Sequence, residues 1–128
     1  MIPSALDHVV VNVSDMARAC DFYARVLGAE IVEFGAGRTA VQIGGQKLNL
    51  HDAVNKGDPI ARSPSAGGAD LCILTETPMA DVVRHLEAHS AAIIVGPVER
   101  TGAMGPILSV YLRDPDGSLI EIANRIAA

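Results

Sequence analysis

Four side chains with the chemistry to hold or move charge stand out along the chain: His8 in "LDHVVVNVSD", His51 in "QKLNLHD", Asp70 in "ADLCILTE" and Glu121 in "GSLIEIAN". Each sits in a run with strand-like alternation, where residues two apart share a face. In the first run Val9, Val11 and Val13 form one apolar face, so Leu6, His8, Val10 and Asn12 form the other. In the second, Leu48 and Leu50 point to the core and Lys47, Asn49 and His51 point away. Asp70 shares a face with Cys72 and Leu74, and Glu121 with Leu119 and Ala123. Two imidazoles and a carboxylate form a facial set suited to divalent zinc, nickel, manganese or iron, with positions left open for a substrate. A buried carboxylate without a cation is costly, and coordination would relieve that cost. Taken singly, each residue also fits an ordinary role: His8 as a packed core histidine, His51 at a strand end, Glu121 as an edge charge, Asp70 as a hydrogen-bonded strand residue. The case for chemistry rests on all four turning to one side.

The elements that must position them repeat. A strand over 5–13 leads through Ser14, an expected helix cap, into a helix over "DMARACDFYARVLG", where Met16, Ala19, Phe22, Tyr23, Val26 and Leu27 mark an apolar face that ends at Gly28. Strands are expected over 29–35, 38–44 and 46–52, separated by "GAG" and "GG" turns. A Gly-, Pro- and Ser-rich connector, 53–68, follows. The pattern then recurs: a strand over 69–76, a helix over 77–90 with Val82, Val83 and Leu86 inward, and strands over 91–99, 106–114 and 117–124. Met16 and Met79 occupy matching places at the helix starts. The expected fold is α+β: one domain over 1–128, built of two tandem βαβββ modules (5–52 and 69–124) whose eight strands form a cup-shaped mixed sheet. Asp70 holds in the second module the place His8 holds in the first. Loops 53–68 and 96–107 are expected to rim the cup.

Composition narrows the function classes. With 128 residues and 49% hydrophobic side chains, the chain is long enough to bury a core. Aromatics are only 3%, so that core must be aliphatic. A formal net charge of −5 argues against nucleic acid as a partner. No apolar run is long enough to suggest a membrane span, and the first residues carry no leader-like pattern, so a cytoplasmic location is expected. Cys20 and Cys72 are too few for a disulfide framework, and they fit a reducing compartment.

The segments "LDHVVVNVSDMARACDFYARVLG", "KLNLHD" and "YLRDPDGSLIEI" resemble the vicinal oxygen chelate superfamily of glyoxalases, bleomycin- and fosfomycin-resistance proteins and extradiol dioxygenases. The likeness spans nearly the whole chain, and "GPVERTGAMGPILSVYLRDPDG" is similar to a subgroup of small glyoxalase-domain and bacterial virulence-associated proteins. The resemblance implies a metal-dependent, glyoxalase-like lyase or isomerase acting on a small oxygenated substrate. His8, His51 and Glu121 would be the metal ligands, and Glu121 and Asp70 the catalytic carboxylates. Such chemistry moves a proton between adjacent carbons, with a ligand carboxylate as base. The order His8, His51, Asp70, Glu121 departs from the glyoxalase I order of His or Gln, Glu, His, Glu, exchanging the middle pair. The resemblance equally admits an extradiol-type dioxygenase or a metal-free ligand-binding resistance protein, since this fold hosts many reactions. It also implies a homodimer. Arg100, Lys47 and Tyr111 are further candidates for meeting an anionic substrate, and Cys72 for lining the cavity. Cys20, His85 and His89, on helices, carry no expected chemistry.

Overall fold

A computed structural model describes residues 1–53 and 59–127. It resolves into two compact units, Met1–Gly68 and Ala69–Ala128. Part of the expected connector, residues 54–58, lies outside the described residues.

The first unit runs β1 (His8–Val13), α1 (Met16–Asp21), β2 (Glu30–Phe34), β3 (Arg38–Ile43) and β4 (Gln46–Asp52). Its sheet has the order β1-β4-β3-β2, with β1 parallel to β4 and the other pairs antiparallel. The helix begins one residue later than expected: Asp15, and not Ser14, is the cap, its carboxylate accepting the Arg18 N–H at 3.0 Å. The carboxylate reaches the free N–H groups of the first turn, as capping requires. Beyond Asp21 the helix widens into a π-helical turn, Phe22–Val26, which buries Phe22, Tyr23 and Val26. These close over Val11, Val13, Val41, Leu48 and Leu50, all nearly inaccessible to solvent. The valine face of β1 is therefore the core face.

The second unit repeats the plan: β5 (Asp70–Leu74), α2 (Met79–Ala88), β6 (Val95–Gly102), β7 (Gly105–Arg113) and β8 (Leu119–Arg125). The order β5-β8-β7-β6, with β5 parallel to β8, matches the first unit strand for strand. Met16 and Met79 are each the first residue of their helix. The core is Val82 and Leu86 of α2 on Val110, Leu112, Ile120 and Ile122, while Val83 is half-buried. The eight strands thus form two four-stranded sheets, each with one helix-covered face.

The largest departure from expectation is in the bounds of β6: the strand expected over 91–99 runs Val95–Gly102, so the segment 96–107, also expected to rim the cup as a loop, is mostly a β6–β7 hairpin closing through Gly102 and Gly105. Gly96 and Pro97 are tolerated because β6 is an edge strand whose pairing with β7 shifts between Val95 and Val98. Gly96 adopts φ +102°, and a Cβ there would run into the Ser109 carbonyl. Among the described residues no helix is long and apolar enough to cross a membrane.

Candidate functional site

The backbone register decides which candidate side chains can share a task. In the first unit His8 pairs with Lys47, Val10 with Asn49, and Asn12 with His51. His8 and His51 lie on one face but four rungs apart, about 13 Å along the strands. Imidazoles standing upright from a sheet do not converge across that span. Asn49 is closer, one diagonal step from His8, and diagonal neighbours are within side-chain reach. The second unit repeats the relation: Asp70 pairs with Leu119 and Cys72 with Glu121. Asp70 is thus the counterpart of His8, and Glu121 that of Asn49. The equivalent of His51 is Ala123.

His8 is exposed at the start of β1, which removes the packed-core role. Its Nδ1 lies 2.8 Å from a carboxylate oxygen of Asp7. A carboxylate can only accept, so in the neutral ring Nδ1 carries the proton and Nε2 keeps its lone pair, the tautomer a metal ligand needs. Glu121 is half-buried on β8, an inner strand, so it is not an edge charge. Its Oε2 accepts the Ser109 hydroxyl at 2.6 Å. Cys72 is exposed, lines the cavity beside Glu121 and donates its thiol proton to Glu121. Burial pushes that thiol up to about 11, with the neighbouring Glu121 charge and hydrogen bond adding to it. Asp70 is exposed, with no hydrogen bond or ion pair among the described residues. His51 is half-buried and lines a cavity of about 390 Å³ with Val10, Asn12, Pro59, Ile60 and Pro64. Lys47 holds its ammonium 3.3 Å from the Phe34 ring centre, so this cation is engaged within its own sheet.

Among the described residues no group of three or more His, Cys, Asp and Glu side chains is gathered as a metal cluster. The donor chemistry nevertheless fits a divalent ion. Asn49, 2% exposed, has a buried Oδ1 without a hydrogen-bond partner among the described residues. A buried amide oxygen left unpaired is costly, and it needs either a cation or a donor. Asn49 lies on the face that alternation gives to Lys47 and His51, and laying "KLNLHD" over "LIEIAN" by their apolar pairs, Leu48/Leu50 on Ile120/Ile122, sets it at the position of Glu121. Each unit therefore carries a polar pair at matching register positions: His8 with Asn49, and Asp70 with Glu121.

Glu121 also opens onto a cavity of about 410 Å³ within the second unit, lined by Cys72, Arg100, Met104, Ile107, Tyr111 and Arg125 among others. The Arg100 Nε donates to the Tyr111 hydroxyl at 3.1 Å, and the guanidinium lies 5.5 Å from the ring centre.

Comparison with known proteins agrees with this architecture. The model of the glyoxalase/bleomycin resistance protein/dioxygenase superfamily matches residues 5–122. Virulence protein STM3117 of Salmonella typhimurium is 47% identical over 126 residues, covering 98% of this chain and 88% of that protein. The glyoxalase domain-containing protein RDO1 of Mycosarcoma maydis is 47% identical over 120 residues, covering 94% of this chain and 68% of its own length. An integron cassette protein from the mobile metagenome of V. cholerae superposes with a TM-score of 0.96 at 47% identity, covering 98% of both chains. More distant are the lactoylglutathione lyase of Agrobacterium tumefaciens, 25% identical with a TM-score of 0.72 over 95% of this chain, and human mitochondrial methylmalonyl-CoA epimerase, 27% identical over 91% of this chain and 72% of its own. With the family model spanning both repeats and the relatives covering nearly the full length, the chain belongs to the glyoxalase/bleomycin resistance protein/dioxygenase superfamily.

Proposed function

We propose that this chain is a metal-dependent, glyoxalase-like enzyme of the lyase or isomerase class that moves a proton on a small oxygenated substrate. Both modules contribute to one functional domain over 1–128. His8 and Glu121 are the metal donors, with Asp70 beside Glu121 as a second carboxylate. His51 and Asn49 compete for the remaining donor place, and the strand register favours Asn49. The observation that carries the reading is the buried Asn49 oxygen without a partner, set diagonally beside an imidazole whose Nδ1 is already engaged by Asp7. The distant likeness to a lyase and an epimerase supports the reaction class.

A divalent ion at these donors would act as a Lewis acid toward a substrate oxygen. The protein's own part is proton transfer. Glu121 accepts a proton from the carbon next to that oxygen and returns it to the neighbouring carbon. The Ser109 hydrogen bond to Oε2 and the neighbouring Cys72 thiol hold the carboxylate in one orientation. Asp70, one diagonal step away, is close enough to take the proton from the other side. The working species is a homodimer in the cytoplasm, and elution at the mass of one chain in size-exclusion chromatography would contradict the dimer.

The test is metal content together with turnover. Protein purified without chelator is assayed with methylglyoxal hemithioacetal as the first substrate and oxygen uptake with catechol as the control. Bound metal with conversion of an oxygenated substrate, lost on chelation and restored by an added ion, is expected. Oxygen uptake with catechol would move the protein to the dioxygenases. Metal-free protein would leave a binding role in its place.

A further inference from the structure

The register of the second unit does more than align its carboxylates. Arg100 of β6 pairs with Ile107 of β7, and Ile107 pairs with Arg125 of β8. The three therefore form one transverse row, with the two arginines about 10 Å apart at the backbone and both lining the cavity that Glu121 shares. Arg125 makes no hydrogen bond or ion pair among the described residues. Arg100 uses Nε on Tyr111 and Nη1 on the Glu99 carbonyl, at 3.1 and 3.2 Å, so its other terminal nitrogen remains without a partner there. Two guanidinium groups against one carboxylate make this cavity electropositive in a chain whose formal net charge is −5. Arginine's planar fork matches oxyanions, and two such forks lining one cavity beside apolar side chains suit one end of a ligand.

We infer that Arg100 and Arg125 form an oxyanion-binding pair, so that the ligand of this cavity is a small molecule carrying a carboxylate or a phosphoryl group. Tyr111 is a positioning residue: it accepts from Arg100 Nε and supports the guanidinium over its ring. The row lies four residues from Glu121 along β8, which sets the oxyanion end apart from the end where Glu121 acts. This assignment deepens the proposed function, and it rests on that reading only in treating the bound anion as a substrate.

The test uses the full chain after chelator treatment, so that binding is read without a metal. L-lactate, inorganic phosphate and the neutral isostere lactamide are titrated by calorimetry at low ionic strength. Lactate or phosphate is expected to bind at least about tenfold tighter than lactamide, with Arg100→Gln and Arg125→Gln each weakening it about tenfold. Tighter lactate assigns a carboxylate, tighter phosphate a phosphoryl group, and either supports the pair. Metal content in the two variants should match the wild type. Because the arginine variants could perturb folding, the wild type alone gives a second reading: raising salt should weaken lactate binding and leave lactamide unchanged. Neither lactate nor phosphate binding more tightly than lactamide, or arginine variants that bind the preferred anion like the wild type, overturns the inference. Arginine-dependent binding in a protein that takes up no metal would instead sink the proposed function alone.

Discussion

At the scale of single residues, the donors divide by what surrounds them. His8 has one ring nitrogen occupied by Asp7, and Asn49 has an oxygen with nothing to accept from. Replacing Asn49 by Ala is expected to lower metal affinity at least about tenfold, whereas His51→Ala leaves it within about twofold, judged against usual ligand effects. Calorimetric titration with zinc measures both, and the reverse ranking would restore His51 to the donor set. Cys72 reports on Glu121 from the other side. In chelator-treated protein on a Cys20→Ser background, alkylation of Cys72 should be slow at pH 8, where about one thiol in a thousand is ionised, and should rise through a midpoint near 11. Glu121→Gln removes a neighbouring charge, so this midpoint moves down toward the ordinary thiol value of 9.0. The sign for stability follows: the folded state favours the protonated thiol, so this contribution is whole below pH 9 and fades as pH rises through 11. An unchanged midpoint in Glu121→Gln would detach Cys72 from Glu121.

At the scale of elements, the tight turn before β8 aims Glu121. The buried Asp114 carboxylate accepts the N–H groups of Asp116 and Ser118, both at 2.9 Å, and Gly117 supplies a positive φ of +95°. The Ser118 hydroxyl and the Leu119 N–H then tie the start of β8 to Ala69, setting its register on β5. Asp114→Ala leaves two amide donors without their acceptor and should cost about 2–3 kcal/mol in chemical denaturation. Gly96→Ala should cost about 3 kcal/mol, because the added Cβ meets a backbone carbonyl at a strained φ. A loss under about 0.5 kcal/mol in either would contradict the packing described for that turn. These elements also show where sequence is legible. Alternation exposed the core faces of β1, β4 and β8, because burying every second residue leaves a clear pattern. It misplaced the bounds of β6: the strand expected over 91–99 runs Val95–Gly102, because only the pairing with β7 carries the extended chain through Arg100, Thr101 and Gly102. The helix cap moved from Ser14 to Asp15 because both side chains can cap and adjacent positions are not separated by residue type; in the fold it is the Asp15 carboxylate that reaches the Arg18 N–H.

At the scale of the whole molecule, the repeat is the organising fact. Matching the two units strand for strand sets His8 in correspondence with Asp70 and Asn49 with Glu121. The face carrying the candidates was legible from alternation. That Asn49, and not His51, corresponds to Glu121 was not, since register along neighbouring strands is a property of pairing that a single strand's pattern does not carry. Metal analysis by mass spectrometry of protein purified without chelator tests the account most directly, with His8→Ala and Glu121→Ala purified in parallel. About one divalent ion per chain in the wild type, falling at least about tenfold in each variant, is the expected result. A wild-type protein without bound metal, or variants that keep their ion, would contradict it.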